Sequence, residues 1–155
     1  MKDQYMARAI ELALENVRSG KGGPFGAVVV KDGAILATGT NLVTSAKDPT
    51  AHAEVVAIRG ACSILGAFQL SGCDLYSTSE PCPMCLGAVY WAHLDRVFYG
   101  STAADAAAAG FDDAFIYREL SISVHDRKIP FVSLMRAECL ACFDEWTAKS
   151  DRVAY

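Results

Sequence analysis

Two pairs of residues in this chain have the types and spacing to hold a metal ion and use it. Cys82 and Cys85 stand in Pro81-Cys82-Pro83-Met84-Cys85, and His52 and Glu54 stand in Thr50-Ala51-His52-Ala53-Glu54. Two sulfurs and one imidazole nitrogen suit zinc. Three protein ligands leave the fourth tetrahedral position to water, the pattern of catalytic rather than structural sites. Glu54 lies two residues past His52, about 200° around a helix, so it does not ligate the same ion from a regular helix. From a helix start it can reach the metal-bound water instead. A carboxylate there takes a proton from that water and returns it to the substrate.

Such residues need elements to hold them. Residues three apart share one helix face, so a helix starting at Pro81 would point Cys82 and Cys85 the same way from its first turn. Proline suits a first helical position, and the positive end of the helix dipole favours the thiolates that bind metal. For His52, Asp48 can cap and Pro49 can open the first turn of another helix. Val55, Ile58, Ala61, Cys62 and Leu65 then form its buried stripe, with Cys62 a core residue. Residues 74–77 read as a short strand before the cysteine helix, and 96–99 as another after it, ended by Gly100. Strand–helix–strand order implies a right-handed crossover between neighbouring parallel strands. Ligands in open α/β sheets bind beyond the carboxyl ends of the strands, near where both metal-bearing helices begin.

The rest of the chain supplies layers around these parts. Met6, Ala9, Ile10, Ala13, Leu14 and Val17 recur at helical spacing and predict an amphipathic first helix. Ser19-Gly20-Lys21-Gly22-Gly23-Pro24 stops it. This stretch is no phosphate loop, because no strand precedes it and no Lys-Ser/Thr pair follows. Residues 25–30 and 34–41 read as two strands joined at Lys31-Asp32-Gly33-Ala34, whose Asp-Gly centre is a strong hairpin signal. That pairing brings Phe25 and Asn41 together at the far ends. Residues 42–47 read as a polar loop. Residues 105–109 and 114–120 read as short helices around Gly110-Phe111-Asp112-Asp113. Residues 131–135 read as a last strand and 138–148 as a closing helix.

Composition narrows the function classes. At 155 residues the chain is one domain, and a chain this size buries roughly 70 % of its unfolded surface without disulfide staples. It is 52% hydrophobic yet has no apolar run of membrane-spanning length. Met1-Lys2-Asp3-Gln4 lacks the layout of a signal peptide. Six cysteines then indicate a reducing cytoplasm. A formal charge of −4 argues against a nucleic-acid backbone footprint.

Cys139 and Cys142 form a second C-x-x-C. Paired knuckles in a four-cysteine structural zinc site are usually about 15–20 residues apart, and the gap from Cys85 is far longer. Both cysteines share a helical face with Phe143 and Trp146, so they read as core packing. A structural site would also leave His52 and Glu54 without a role.

The order H-x-E … P-C-x-x-C is the established signature of zinc-dependent nucleobase deaminases. Together with Gly22-Gly23-Pro24-Phe25-Gly26-Ala27-Val28, Asn41, Asp48 to Glu54, Ser79 to Ala88 and Gly110-Phe111-Asp112-Asp113, it resembles the cytidine deaminase-like superfamily. Within it, Gly110-Phe111-Asp112-Asp113 and the terminal Tyr155 resemble the guanine deaminase branch. The motifs run in order along most of the chain. The resemblance implies a three-layer α/β/α fold with a five-stranded mixed sheet flanked by helices. It implies one zinc ion per chain on His52, Cys82 and Cys85. It also implies a homodimer whose C-terminal segment, about residues 138–155, can cross to close the partner's pocket.

The implied reaction is hydrolysis of guanine, a small purine, to xanthine and ammonia, with Glu54 shuttling protons. Asp113, or else Asp112, would accept the ring N–H of guanine beside its carbonyl. Asn41 would meet the base edge, Phe25 would pack on the ring face, and Phe111 and Tyr155 would wall the pocket. A related branch with much the same motifs acts on guanosine, so base and nucleoside both stand as substrates at this point. Deamination of cytosine, or of adenosine in tRNA, is the more distant alternative. Phe111-Asp112-Asp113 weighs against the first and the acidity against the second. Ser79 departs from the branch, which often carries cysteine there. A position that need not ligate loses little by the change.

Overall fold

A computed structural model describes residues 2–155. They fall into two compact units, the first running to Asp113 and the second spanning Ala114–Tyr155.

The first unit is built on one sheet. Its elements are α1 (Lys2–Arg18), β1 (Gly26–Lys31), β2 (Ala34–Thr40), α2 (Val43–Ala46), α3 (Ala53–Leu65), β3 (Cys73–Ser79), α4 (Pro83–Trp91), β4 (Arg96–Ser101) and α5 (Ala103–Ala108). The strand order is β2-β1-β3-β4. β1 runs antiparallel to both β2 and β3, while β3 and β4 are parallel. The expected hairpin forms, with Asp32 at φ 50° and Gly33 at φ 77°, the left-handed pair that a two-residue primed turn requires. The parallel β3–α4–β4 crossover also forms as the sequence implied.

Alternation along β1 divides the core between two faces. Ala27 and Val29 pack with Ala37, Leu75 and the α3 residues Ala53, Ala57, Ile58 and Ala61. Val28 and Val30 pack with Tyr76 and the α1 residues Tyr5 and Ala9. Helices therefore cover both sides of the sheet, giving the three expected layers.

Four strands make this sheet, not five. The apolar run 131–135 is not a strand. Hydrophobic pattern marks such a run, but only a hydrogen-bonded neighbour makes it a strand. Pro130 before it lacks a donor, Met135 at its end takes a left-handed φ of 51°, and Phe131, Val132 and Leu134 are exposed.

The buried stripe of α1 is also rotated from expectation. It is Tyr5, Ala9, Ala13 and Asn16 that are buried, while Ile10, Leu14 and Val17 are exposed. Close backbone approach decides this. A Cβ on Gly26 would lie 2.2 Å from the Ala9 carbonyl oxygen and 2.9 Å from the Ala13 nitrogen, so the alanine face must meet β1. The loop expected at 42–47 holds the short helix α2.

The second unit comprises α6 (Ala114–Ser121), a 3-10 turn (Val124–Asp126) and α7 (Arg136–Ala148). Glu119 ties it together. Its side chain accepts from the Lys128 backbone N–H at 2.8 Å, and its carbonyl accepts from Arg127 Nε at 3.0 Å. Cys139 and Cys142 on α7 are exposed, which corrects their assignment as core. α7 buries none of its residues within the chain, so helical spacing beside Phe143 and Trp146 did not make a packed face. No helix among the described residues is long and apolar enough to cross a membrane.

Candidate metal centre and active site

α3 does not begin where the sequence suggested. Asp48 folds a turn of its own instead of capping the helix: its Oδ1 accepts from the Thr50 N–H at 2.8 Å and from Thr50 Oγ1 at 2.7 Å. The helix starts at Ala53, with His52 as its N-cap residue in extended conformation. His52 is thus outside the helix and Glu54 inside its first turn. The separation that a regular helix would impose on them does not apply.

The cysteine helix is displaced in the same sense. It starts at Pro83, not Pro81, and Cys82 is its N-cap residue, again extended. Pro83 opens the helix, as proline favours. Cys82 and Cys85 stand at the N-terminal end of α4, where the dipole favours negative sulfur.

These two helix starts bring three donors together. The ligand atoms of His52, Cys82 and Cys85 all lie within 4.8 Å of one another. His52 Nδ1 is 3.5 Å from each sulfur. Tetrahedral zinc, with bonds of about 2.0–2.1 Å to nitrogen and about 2.3 Å to sulfur, separates N and S by about 3.5–3.6 Å. The cluster therefore fits one zinc ion in donor type and in spacing. It is the one such group of three among the described residues.

The electrostatics suit the same role. Cys82 is pulled down to about 4, first by a hydrogen bond from the Cys85 thiol and then by one from His52, against the burial that opposes them. Cys85 is pushed up, because its proton is the one held by Cys82 and because it is fully buried. The pair thus holds one thiolate and one thiol, and a dication would replace the remaining proton. The Cys82 hydrogen bond raises His52 in turn.

Glu54 closes the cluster on its buried side. It is only 5% exposed. Its Oε2 lies 3.4 Å from Cys85 Sγ, and its Oε1 accepts from Ser77 Oγ at 3.2 Å. Burial pushes its carboxyl above the usual range, which moves it toward the neutral pH at which a proton carrier works best. Ser77 was not singled out in the sequence. Its one signal was a polar residue on the inward face of a strand otherwise lined by Cys73 and Leu75. Ser79, two residues on, shares that face, and its buried hydroxyl has no protein partner among the described residues.

Asn41 and Phe25 meet at the open end of the hairpin, where the Asn41 N–H donates to the Phe25 carbonyl at 3.2 Å. The next residue ties this end to the metal cluster: the Leu42 N–H donates to the Ala51 carbonyl at 2.9 Å, one residue before His52. Phe25 and Phe111 pack edge to face with ring centres 4.9 Å apart. Asp113 is raised by burial first and then by the charge on Cys82, so its carboxylate shares the field of the cluster. Asp112 adds to that field. Tyr155 ends the second unit and is 74% exposed.

Residues 1–101 match the family described as the cytidine and deoxycytidylate deaminase zinc-binding region. Over 153 residues the chain is 54% identical to a guanine deaminase of Bacillus subtilis, covering 99% of this chain and 98% of that one. The crystal structure of guanine deaminase from Bacillus subtilis superposes with a TM-score of 0.96, at 54% identity and the same coverage. A tRNA-specific adenosine deaminase of Agrobacterium fabrum is 45% identical over 95 residues, covering 59% of this chain and 62% of its own.

Proposed function

The chain belongs to the family of the cytidine and deoxycytidylate deaminase zinc-binding region, and we infer that within it the chain hydrolyses guanine to xanthine and ammonia. The observation that carries this is the end-to-end likeness to the Bacillus subtilis guanine deaminase. It extends through Gly110-Phe111-Asp112-Asp113 and the second unit, where the likeness to the tRNA deaminase covers little more than half of the chain.

His52, Cys82 and Cys85 would hold the zinc ion. Bound there, zinc lowers the pKa of a water to about 7 and so supplies a nucleophile at neutral pH. Glu54 takes a proton at the carboxylate oxygen on the cluster side, Oε2, while Ser77 holds Oε1. Glu54 then gives the proton to ring nitrogen N3 of guanine, takes the remaining proton from the oxygen added at C2, and passes it to the amine there. The C2–N bond breaks, the amine leaves as ammonia, and the oxygen added at C2 becomes the new carbonyl of xanthine. Asp113 accepts the N1–H, with Asp112 beside it. A site built around one buried hydrogen bond rejects bases that cannot make it, and cytosine has no N–H at the corresponding nitrogen. Asn41 meets the base edge. Phe25 covers the ring, and Phe111, in contact with it, walls the pocket.

A homodimer belongs to the same proposal, as a single deaminase domain whose segment of about residues 138–155 is exchanged between copies. The exposed Phe131, Val132, Leu134 and Phe143 of the second unit support it, since apolar surface of that kind marks an interface. A cytoplasmic location is supported by six free thiols.

The test is ammonia release from the zinc-loaded protein given guanine, guanosine, cytosine and adenosine separately. Release from guanine alone is the expected result. Release from guanosine alone would keep the chemistry and redraw the pocket around a sugar. Turnover of neither guanine nor guanosine would overturn the proposal.

A further inference from the structure

We propose that Asn16, on α1, is the positioning residue for Asn41 and thereby sets the affinity of the pocket for its base. This rests on the reading of Asn41 as the residue that meets the base edge.

Asn16 ends the buried face of α1, after Tyr5, Ala9 and Ala13, and is 3% exposed. A buried amide costs free energy unless it is hydrogen-bonded, and its side-chain nitrogen has two hydrogens to place. Both are placed on backbone carbonyls of the candidate pocket. Nδ2 donates to the Asn41 carbonyl at 2.8 Å and to the Gly23 carbonyl at 2.9 Å. One side chain therefore joins the end of β2 to the loop before β1, on either side of Phe25. Asn16 is itself held at the helix end, where its carbonyl accepts from the Lys21 N–H at 3.2 Å and from Ser19 Oγ at 3.0 Å.

Gly22, between these points, makes the clamp possible. A Cβ on Gly22 would lie 1.9 Å from the Asn41 carbonyl oxygen and 3.1 Å from Asn16 Nδ2. On Gly23 it would meet only ordinary contacts, the Phe25 ring at 3.4 Å and Asn41 Cγ at 3.6 Å. The glycine-rich stretch that stops α1 thus has a second role: it lets α1 reach the hairpin end without an intervening side chain.

Asn41 is then fixed at three atoms. Its carbonyl accepts from Asn16, its N–H donates to Phe25, and its Oδ1 accepts from the Val43 N–H at 3.3 Å. Because that last donor is a backbone N–H, the bonded atom is the oxygen, and Nδ2 points the other way. Loss of the Asn16 bond frees the backbone that carries this amide, while the Leu42–Ala51 hydrogen bond still holds this end to the segment that carries His52. The consequence is weaker binding of ground state and transition state alike, which raises KM and leaves kcat unchanged.

The experiment compares full-length, zinc-loaded Asn16→Ala, Asn16→Ser, Asn41→Ala and the Asn16→Ala/Asn41→Ala double variant with guanine. Asn16→Ala should raise KM about tenfold, the size of one lost, well-placed hydrogen bond. Its kcat should stay within about threefold and its zinc content should be unchanged. Asn16→Ser keeps one donor and should fall between, and it carries the test if Asn16→Ala does not fold. The double variant should have the KM of Asn41→Ala alone, because two residues acting as one unit are not additive. An Asn41→Ala protein with unchanged KM would remove the premise. A raised KM in Asn41→Ala with normal KM in both Asn16 variants would overturn the role of Asn16 alone. So would effects that multiply in the double variant, or a fall in melting temperature with no change in KM.

Discussion

Ser77 Oγ donates to Glu54 Oε1 across 3.2 Å, joining β3 to the first turn of α3 with both side chains buried. The bond occupies one carboxylate oxygen and leaves the other beside Cys85. Ser77→Ala should leave zinc content unchanged and lower kcat about 10- to 100-fold, the scale of a small misplacement of a reacting group. Metal analysis and steady-state kinetics on one preparation would check it, and an unaltered kcat would show that packing alone holds Glu54.

Glu54→Gln has nearly the same shape and keeps the contact with Ser77, but it cannot take a proton. Turnover of guanine should fall by at least about 10²–10⁴, the usual worth of general acid–base help, with zinc still bound. A variant with substantial activity would falsify the proton-carrier role.

Asp113→Ala removes the proposed acceptor for the ring N–H and leaves the three zinc donors in place. The kcat/KM for guanine should drop about 10- to 100-fold, as for loss of a hydrogen bond to a charged group, with little change in metal content. The parallel variant Asp112→Ala distinguishes the two carboxylates: the larger loss identifies the residue that meets the base.

Zinc removal should expose an unusually acidic thiol. With Cys82 lowered from 9.0 to about 4, its thiolate persists as the pH falls from 8 to 5. An ordinary thiol loses about tenfold in thiolate for each pH unit over that range. Iodoacetamide should therefore label Cys82 of the zinc-free chain at nearly constant rate from pH 8 to pH 5. Zinc should protect it, and peptide mapping by mass spectrometry reads both results. Labelling that tracks pH like free cysteine would contradict the hydrogen bonds assigned to Cys82.

Gly39 on β2 sits under the start of α3. A Cβ there would lie 2.1 Å from the Ala53 carbonyl oxygen and 2.6 Å from the Ala57 nitrogen. Both are backbone atoms, so α3 must shift and carry His52 and Glu54 with it. Gly39→Ala should cost about 1–3 kcal/mol or more of stability and weaken zinc binding, measured by thermal melting and by titration with a chelator. Wild-type behaviour in both would mean that α3 is not seated on Gly39.

What was legible in the sequence was whatever depends on residue type and local spacing. His52, Cys82 and Cys85 have metal-binding chemistry whatever surrounds them, and Asp32-Gly33 demands its turn because few other pairs accept two positive φ angles. The β3–α4–β4 crossover followed from element order. Tertiary structure decided matters that depend on what lies opposite. Alanine and glycine backbones in contact at Gly26 chose the buried face of α1, against the larger apolar residues that periodicity favoured. Asp48 and Pro81 are sound helix-start signals, yet both helices begin later, with His52 and Cys82 as N-cap residues. The apolar run 131–135 has the pattern of a strand but pairs with no strand among the described residues. Asn16 and Ser77 looked like ordinary polar residues, because a hydrogen bond across 25 or 23 positions leaves no local trace. Residue type thus determined which groups can do the chemistry, and close packing between distant segments decided where those groups point.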